Sequence, residues 1–358
     1  MNANAAAQSP SPFGRYTALA LQTVCDAVNQ DQTPEDARAR MDRAIGKVTG
    51  QIMSAKGFLR GFNGYEVKLV VLPEYWMTGF PLGESREQWQ AKAAVDMDGA
   101  VSEKLGGLAQ KAGVYLVSNH YENDPNFEDL YFQSNVIYGP SGDVVSRYRR
   151  MISLYTPSPY DVWDRYLDVY GYDAVFPVAD TEIGVLGAIA SEEVLYPEIA
   201  RMFALKGAEI LCHPTSEVGS PSLTPKHIAK HARAVENIAY VVSANSAKII
   251  GTPVPSASTD AMSIVLDPYG RTLAEAGPGE TLNANAIIDI AALRETRSKT
   301  GMTNVLSRLP MAAFAPAYGG ATLQPPNKTP DGKMIERSDV LRKQSETIVQ
   351  MKTDGVLR

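Results

Sequence analysis

The chain has 358 residues, 44% apolar and 21% charged, a balance that suits a folded globular protein and excludes a disordered or fibrous one. Acids outnumber bases by 40 to 34, giving a formal net charge of -6, which argues against nucleic acid or an anionic membrane as the main partner. A small-molecule substrate or a protein partner is expected instead. Met1 to Phe13 carries no basic residue and no long apolar run, so it does not read as a signal peptide, and no stretch reaches the roughly 18 apolar residues of a membrane span. The two cysteines, Cys25 and Cys212, lie in segments that read as core and suit a reducing compartment; a cytoplasmic protein without a disulfide is expected.

In chain order, a polar tail over 1–14 precedes a first strand over Tyr16–Val24 and a helix over Pro34–Ala55 with Thr33 as its N-cap. Val67–Leu72 is a short apolar run that reads as a buried strand, and it ends at Pro73-Glu74, where strand gives way to loop. The same pattern returns at Val114–His120, at Ile183–Ala190 before Ser191, and at Glu209–His213. Such strand ends are where α/β proteins build sites. Phe132–Tyr138 and Val144–Tyr148 flank Gly139-Pro-Ser-Gly-Asp143 as a hairpin, and Ile264–Leu266 leads into a similar turn at Asp267-Pro-Tyr-Gly270. Helices are expected over Tyr196–Lys206 and Pro225–Ile238. Residues 15–297 therefore read as one α/β domain. Residues 298–358 form a looser C-terminal extension with a charged helical stretch over Ser338–Lys352, expected in subunit contacts or wrapped on its own subunit.

Several segments together resemble the carbon–nitrogen hydrolase (nitrilase) superfamily. Leu72-Pro-Glu74-Tyr-Trp-Met-Thr-Gly-Phe-Pro81 is similar to the segment holding that family's general-base glutamate. Gly184–Arg201, followed by Leu205–Leu211 and Pro214, resembles its nucleophile segment, and Ala232–Val242 and Asp267–Gly270 match later parts, from about Tyr16 to about Asp289 overall. The resemblance implies a four-layer α-β-β-α sandwich, a homo-oligomer, and attack on a carbon bonded to nitrogen in an amide, ureide or nitrile other than a peptide. It places Glu74 as base. The family's cysteine nucleophile is replaced by Ser191, and the lysine of its Tyr-Arg-Lys pattern by Arg150 in Tyr148-Arg149-Arg150.

The chemistry of these residue types can be weighed directly. A hydroxyl is far less acidic than a thiol and needs a well-placed base to attack, while an arginine can steady an oxyanion but stays protonated and cannot shuttle a proton. Each residue also has a structural alternative: Glu74 and Arg150 as a buried ion pair, Ser191 as a small polar residue at a strand end, and Glu193 as an architectural acceptor. His120 and His213 both end strands on the expected site side, where either could contact substrate or supply the missing base. Tyr75 and Glu192, adjacent to Glu74 and Ser191, complete the candidate substrate-binding set. His227 and His231 stand i, i+4 as in zinc helices, but no glutamate follows His227 and no third ligand is near, so packing is favoured and no metal is expected. Gly-x-Gly-x-x-Gly is absent, and no cofactor is expected. The alternative to a hydrolase is a catalytically silent relative that keeps the fold as a binding or interaction protein.

Overall fold

The computed structural model describes residues 14–320, 323–327 and 336–357. The expected N-terminal tail, apart from Gly14, lies outside them. Among the described residues no helix is long and apolar enough to cross a membrane.

The apolar run after Glu66 forms the strand Val67–Val71, which pairs in parallel with Arg15–Ala20 on one side and Tyr115–Asn123 on the other. The first sheet then runs Asn285–Asp289, Arg15–Ala20, Val67–Val71, Tyr115–Asn123, Tyr131–Tyr138, Val144–Arg149, with the short strand Val95–Asp96 also on Tyr115–Asn123. The second runs Thr272–Glu275, Ile264–Leu266, Tyr240–Ala244, Ile210–Pro214, Gly184–Ala188, Ala179–Thr181, its parallel centre flanked by antiparallel hairpins. Strands buried on both faces explain the continuous apolar runs in the sequence.

The two sheets pack face to face. Tyr16, Ala18, Ala20, Leu69, Val71 and Val117 of the first meet Leu186, Ala188, Ile210, Cys212, Val242 and Ala244 of the second. The opposite face of the first sheet is covered by the helices Pro34–Asn63, Arg86–Ala93 and Ala100–Ala112. The opposite face of the second is covered by Pro197–Leu205 and Pro225–Asn237. This is the α-β-β-α sandwich that the resemblance implies.

Thr33 caps the long helix by accepting from the Asp36 amide at 3.1 Å, a bond worth about 1 kcal/mol. That helix runs on to Asn63, past the expected end, because buried positions continue through Ala55 to Leu59. The expected first strand is shorter than Tyr16–Val24. At Gln22 the side-chain amide turns to the carbonyls of Gly277 and Gly279, and Val24–Asp26 leaves to pair with Lys248–Ile250 in a small separate sheet. Cys25 lies in that small sheet and Cys212 in the second main sheet; both are buried free thiols.

The C-terminal extension contains the helices Met311–Gly320 and Arg337–Thr353 and folds back on its own chain. Tyr318 donates to Glu198, Tyr160 to the Gln324 carbonyl, and the Arg337 guanidinium lies 4.7 Å from the centre of the Tyr155 ring.

Candidate active site

Glu74 sits where Val67–Val71 ends, fully buried at 0% exposure. Its carboxylate accepts from Gln133 Nε2 at 2.9 Å and Arg150 Nη1 at 3.1 Å on one oxygen, and from the Ser216 amide at 3.2 Å on the other. The Glu74 amide in turn donates to the Thr215 carbonyl. Glu74 of the first sheet is thus stitched to the strand end of the second.

Arg150 follows the strand Val144–Arg149 directly, at the exit of the hairpin. Of the five N–H donors of a guanidinium, four are already used: Nε to the Ile152 carbonyl at 2.7 Å, Nη1 to Glu74 and to Gln133 Oε1 at 2.8 Å, and Nη2 to Glu192 at 2.5 Å. Burial alone would lower its pKa, but the carboxylates of Glu74 and Glu192 outweigh that and hold it above the ordinary arginine value. It is a fixed cation with one donor to spare.

Ser191 is 2% exposed and begins the short 3-10 turn Ser191–Leu195 after the strand Gly184–Ala188. Its φ is +46°, and Tyr75, beside Glu74, has φ +40°. Left-handed backbone in residues with a Cβ costs about 1–2 kcal/mol and gathers at functional sites, as in the strand-to-helix elbows that present nucleophilic serines. The turn is held by its neighbours. Glu193 accepts from the Tyr148 hydroxyl at 2.9 Å, the Met151 amide at 2.7 Å and the Ile152 amide at 3.0 Å, locking the Ser191 turn to the segment that carries Arg150. This is an architectural role.

The candidate histidines do not enter the cavity. His213 points at the turn, but its Nε2 lies 2.8 Å from the Ser191 carbonyl oxygen, and its Nδ1 lies 2.8 Å from Ser243 Oγ. A carbonyl only accepts, so Nε2 carries the proton and the ring pins the backbone of Ser191 without reaching its hydroxyl. Burial first, then the nearby Lys230 cation, pushes the His213 pKa well below the ordinary histidine value. His120 is placed further away. The strand continues past it to Asn123, so alternation turns Asn119 and Tyr121 to the site side and His120 to the other face, against Ser118 Oγ at 3.4 Å. The expectation that His120 or His213 could act as base is corrected by these two placements.

Ser191, Arg150, Tyr75 and Glu192 line one cavity of about 230 Å³. Its walls are Tyr75, Phe80, Tyr121, Tyr155, Ile249 and Val254, with Gln133, Ser216, Glu217 and Lys226 adding polar groups. Lys226, in the first turn of Pro225–Asn237, donates from Nζ to Ser191 Oγ at 3.2 Å. The strand-end pattern could not mark Lys226, because it belongs to a helix 35 residues from Ser191. Gln133 and Asn119 were also missed. They are buried polar residues in mid-strand, joined by a 3.1 Å hydrogen bond, and only the pairing of their strands reveals them.

Among the described residues no group of three or more histidine, cysteine, aspartate or glutamate side chains is arranged to hold a metal. His227 and His231 lie 5.3 Å apart between ring centres with their planes tilted by 44°, and His231 Nδ1 lies 2.7 Å from the Gly270 carbonyl oxygen.

With this geometry in place, comparison with known proteins gives a consistent result. The sequence profile of the carbon–nitrogen hydrolase family matches residues 29–298. A nitrilase of Pyrococcus abyssi is 30% identical over 236 residues, covering 64% of this chain and 80% of that protein. An omega-amidase of Saccharomyces cerevisiae is 26% identical over 218 residues, covering 61% of this chain and 73% of its own. Among solved structures, a carbon–nitrogen hydrolase of Helicobacter pylori has the same fold, with a TM-score of 0.64 at 21% identity over 85% of this chain and 98% of that one. The chain belongs to the carbon–nitrogen hydrolase family, as an enzyme of amidase or nitrilase type.

Proposed function

We propose that this enzyme hydrolyses the C–N bond of a small amide, ureide or nitrile through a covalent intermediate on Ser191. The observation that carries this is the cavity: Ser191 and Arg150 share it, and Glu74 stands directly behind Arg150 and Gln133. A volume of about 230 Å³ with an aromatic wall suits a small, partly apolar substrate. Ser191 Oγ attacks the carbon, the spare N–H of Arg150 faces the charge that develops on the substrate oxygen or nitrogen, and Glu74 takes a proton from the water that clears the acyl group. Tyr75 and Glu192 border the bound substrate.

Screening amides, ureides and nitriles for ammonia release identifies the substrate and tests the mechanism. Ser191→Ala is expected to lower turnover at least 1000-fold, an order of magnitude set by removal of other enzymic nucleophiles. Glu74→Gln is expected to abolish turnover while substrate still binds. If Ser191→Ala keeps near-normal rates and Glu74→Gln is dead, Glu74 activates water directly and the covalent route is wrong. If no compound of the three classes is turned over, the chain acts as a binding protein.

A further inference from the structure

The sequence leaves a chemical gap at the nucleophile: a serine hydroxyl needs a base, no histidine reaches it, and Arg150 cannot accept a proton. Lys226 fills that gap in space. Its Nζ lies 3.2 Å from Ser191 Oγ, and among the described residues this is the one side-chain hydrogen bond it makes and no carboxylate stands within ion-pair distance. The other cations near the site are committed differently: Arg150 is held by Glu74 and Glu192, and Lys230, one turn further along the helix, by Glu217 at 3.0 Å. The placement is built into the fold. Thr224 caps the helix by accepting from the His227 amide at 3.0 Å, Pro225 starts it, and Arg233 Nε donates to the Val194 carbonyl at 2.7 Å, fastening the same helix to the turn that Ser191 begins.

We propose that Lys226 is the base that activates Ser191, forming a serine–lysine pair across the two elements. This inference rests on Ser191 being the nucleophile. Lys226 Nζ accepts the hydroxyl proton on its lone pair as Oγ bonds to the substrate carbon. As the C–N bond breaks, the resulting ammonium returns that proton to the departing nitrogen, and for an amide the products of this half-reaction are ammonia and an ester on Ser191. Water then adds to the ester carbon while Glu74 takes its proton; as the C–Oγ bond breaks, that proton passes on to Ser191 Oγ, which restores the Glu74 carboxylate and the serine hydroxyl, and the carboxylic acid leaves. Charged and titratable groups face Lys226 from every side: Lys230 on its own helix with its partner Glu217 and the nearby Asp260, His213 on the strand Ile210–Pro214, and Arg150 and Glu192 across the cavity. Serine–lysine pairs support the same division of labour on unrelated folds.

The test uses an alkyl fluorophosphonate, which marks an activated serine without a known substrate, with intact-mass detection on the full chain. The parent is expected to gain one adduct that Ser191→Ala does not. Lys226→Met should slow labelling at least about 100-fold, in the range of a lost general base. Lys226→Arg, which keeps the cation but cannot accept a proton, should be as slow as Lys226→Met; a role in charge or packing alone would be rescued by it. Labelling of either variant within about threefold of the parent overturns the pair while leaving Ser191 as nucleophile. A parent that is never labelled overturns it as well; ammonia release retained by Ser191→Ala would then show that the covalent route has failed with it.

Discussion

Arg150 differs from a lysine at the same place in more than its charge. A planar fork with four donors engaged cannot swing, so it acts as a strut between Glu74, Gln133 and Glu192. Glu74 and Ser191 were singled out in the sequence because each follows a short buried strand, where a polar residue stands out, whereas Arg150 was singled out by the family resemblance at the exit of a hairpin whose first residues are exposed. His120 shows the limit of that reasoning. Which face it occupies depends on the parity of a strand that runs to Asn123, and a shift of one residue in the assumed end reverses the answer. Buried on that opposite face with Nε2 unpartnered, His120 is pushed by burial from its ordinary 6.5 down to about 4. The unfolded chain therefore binds the extra proton first. Stability is fully present above about pH 6.5 and declines as pH falls toward 4, by about 1.4 kcal/mol per pH unit for this one group at full slope. His120→Gln, compared with the parent by urea unfolding across that range, should lack this share, so the parent's advantage narrows as pH falls. A constant difference would show that His120 does not titrate in the fold.

At the scale of elements, the hairpin carrying Arg150 is set from outside by the helix Ala100–Ala112. A Cβ on Gly106 would lie 2.3 Å from the Gly142 carbonyl oxygen, so helix and turn touch backbone to backbone, and Gln110 fastens them by donating to the Ser141 carbonyl at 3.0 Å. Gly106→Ala would normally favour a helix by roughly 1 kcal/mol. Here it must push the turn away, and a net loss of about 1–3 kcal/mol is expected by denaturant unfolding. A stabilised variant would mean that the contact is loose. The hairpin itself was plain from Gly139-Pro-Ser-Gly-Asp143, and the helix Pro225–Asn237 was expected within one residue of its observed end. What the sequence could not supply was their mutual placement. Lys226 reads as an ordinary first-turn residue until the packing of its helix on Ser191–Leu195 brings it to the serine.

At the scale of the whole molecule, the architecture followed from alternating strands and helices together with the family resemblance, whereas the path of the C-terminal extension did not. A loose pattern after Ser298 carries no periodicity that would choose Tyr155, Tyr160 or Glu198 as its anchors. The two sheets contribute different halves of the proposed chemistry: Glu74 and Arg150 leave the first, Ser191 the second, and Lys226 the helical layer beyond it. Between the sheets lie Ala18 and Ala20 on one side and Ala188 and Ala244 on the other, all buried. Those methyl groups act as a spacer gauge. Facing sheets normally sit about 10 Å apart, and four small side chains set among larger ones such as Leu69 and Val242 leave little slack in how near a carboxylate on one wall comes to a hydroxyl on the other. Ala188→Val, three residues before Ser191, would widen the gauge without touching a reactive atom. Its melting temperature should drop by a few degrees, as for roughly 1–3 kcal/mol of overpacking. Turnover should fall further, by as much as about 100-fold for a displacement near 1 Å, with KM changed far less than kcat. Equal losses of stability and turnover in Ala188→Val and in a matched change within the outer helical core would show that the gap tolerates adjustment; a selective loss of kcat would identify the gap between the sheets as the dimension that the enzyme's rate depends on.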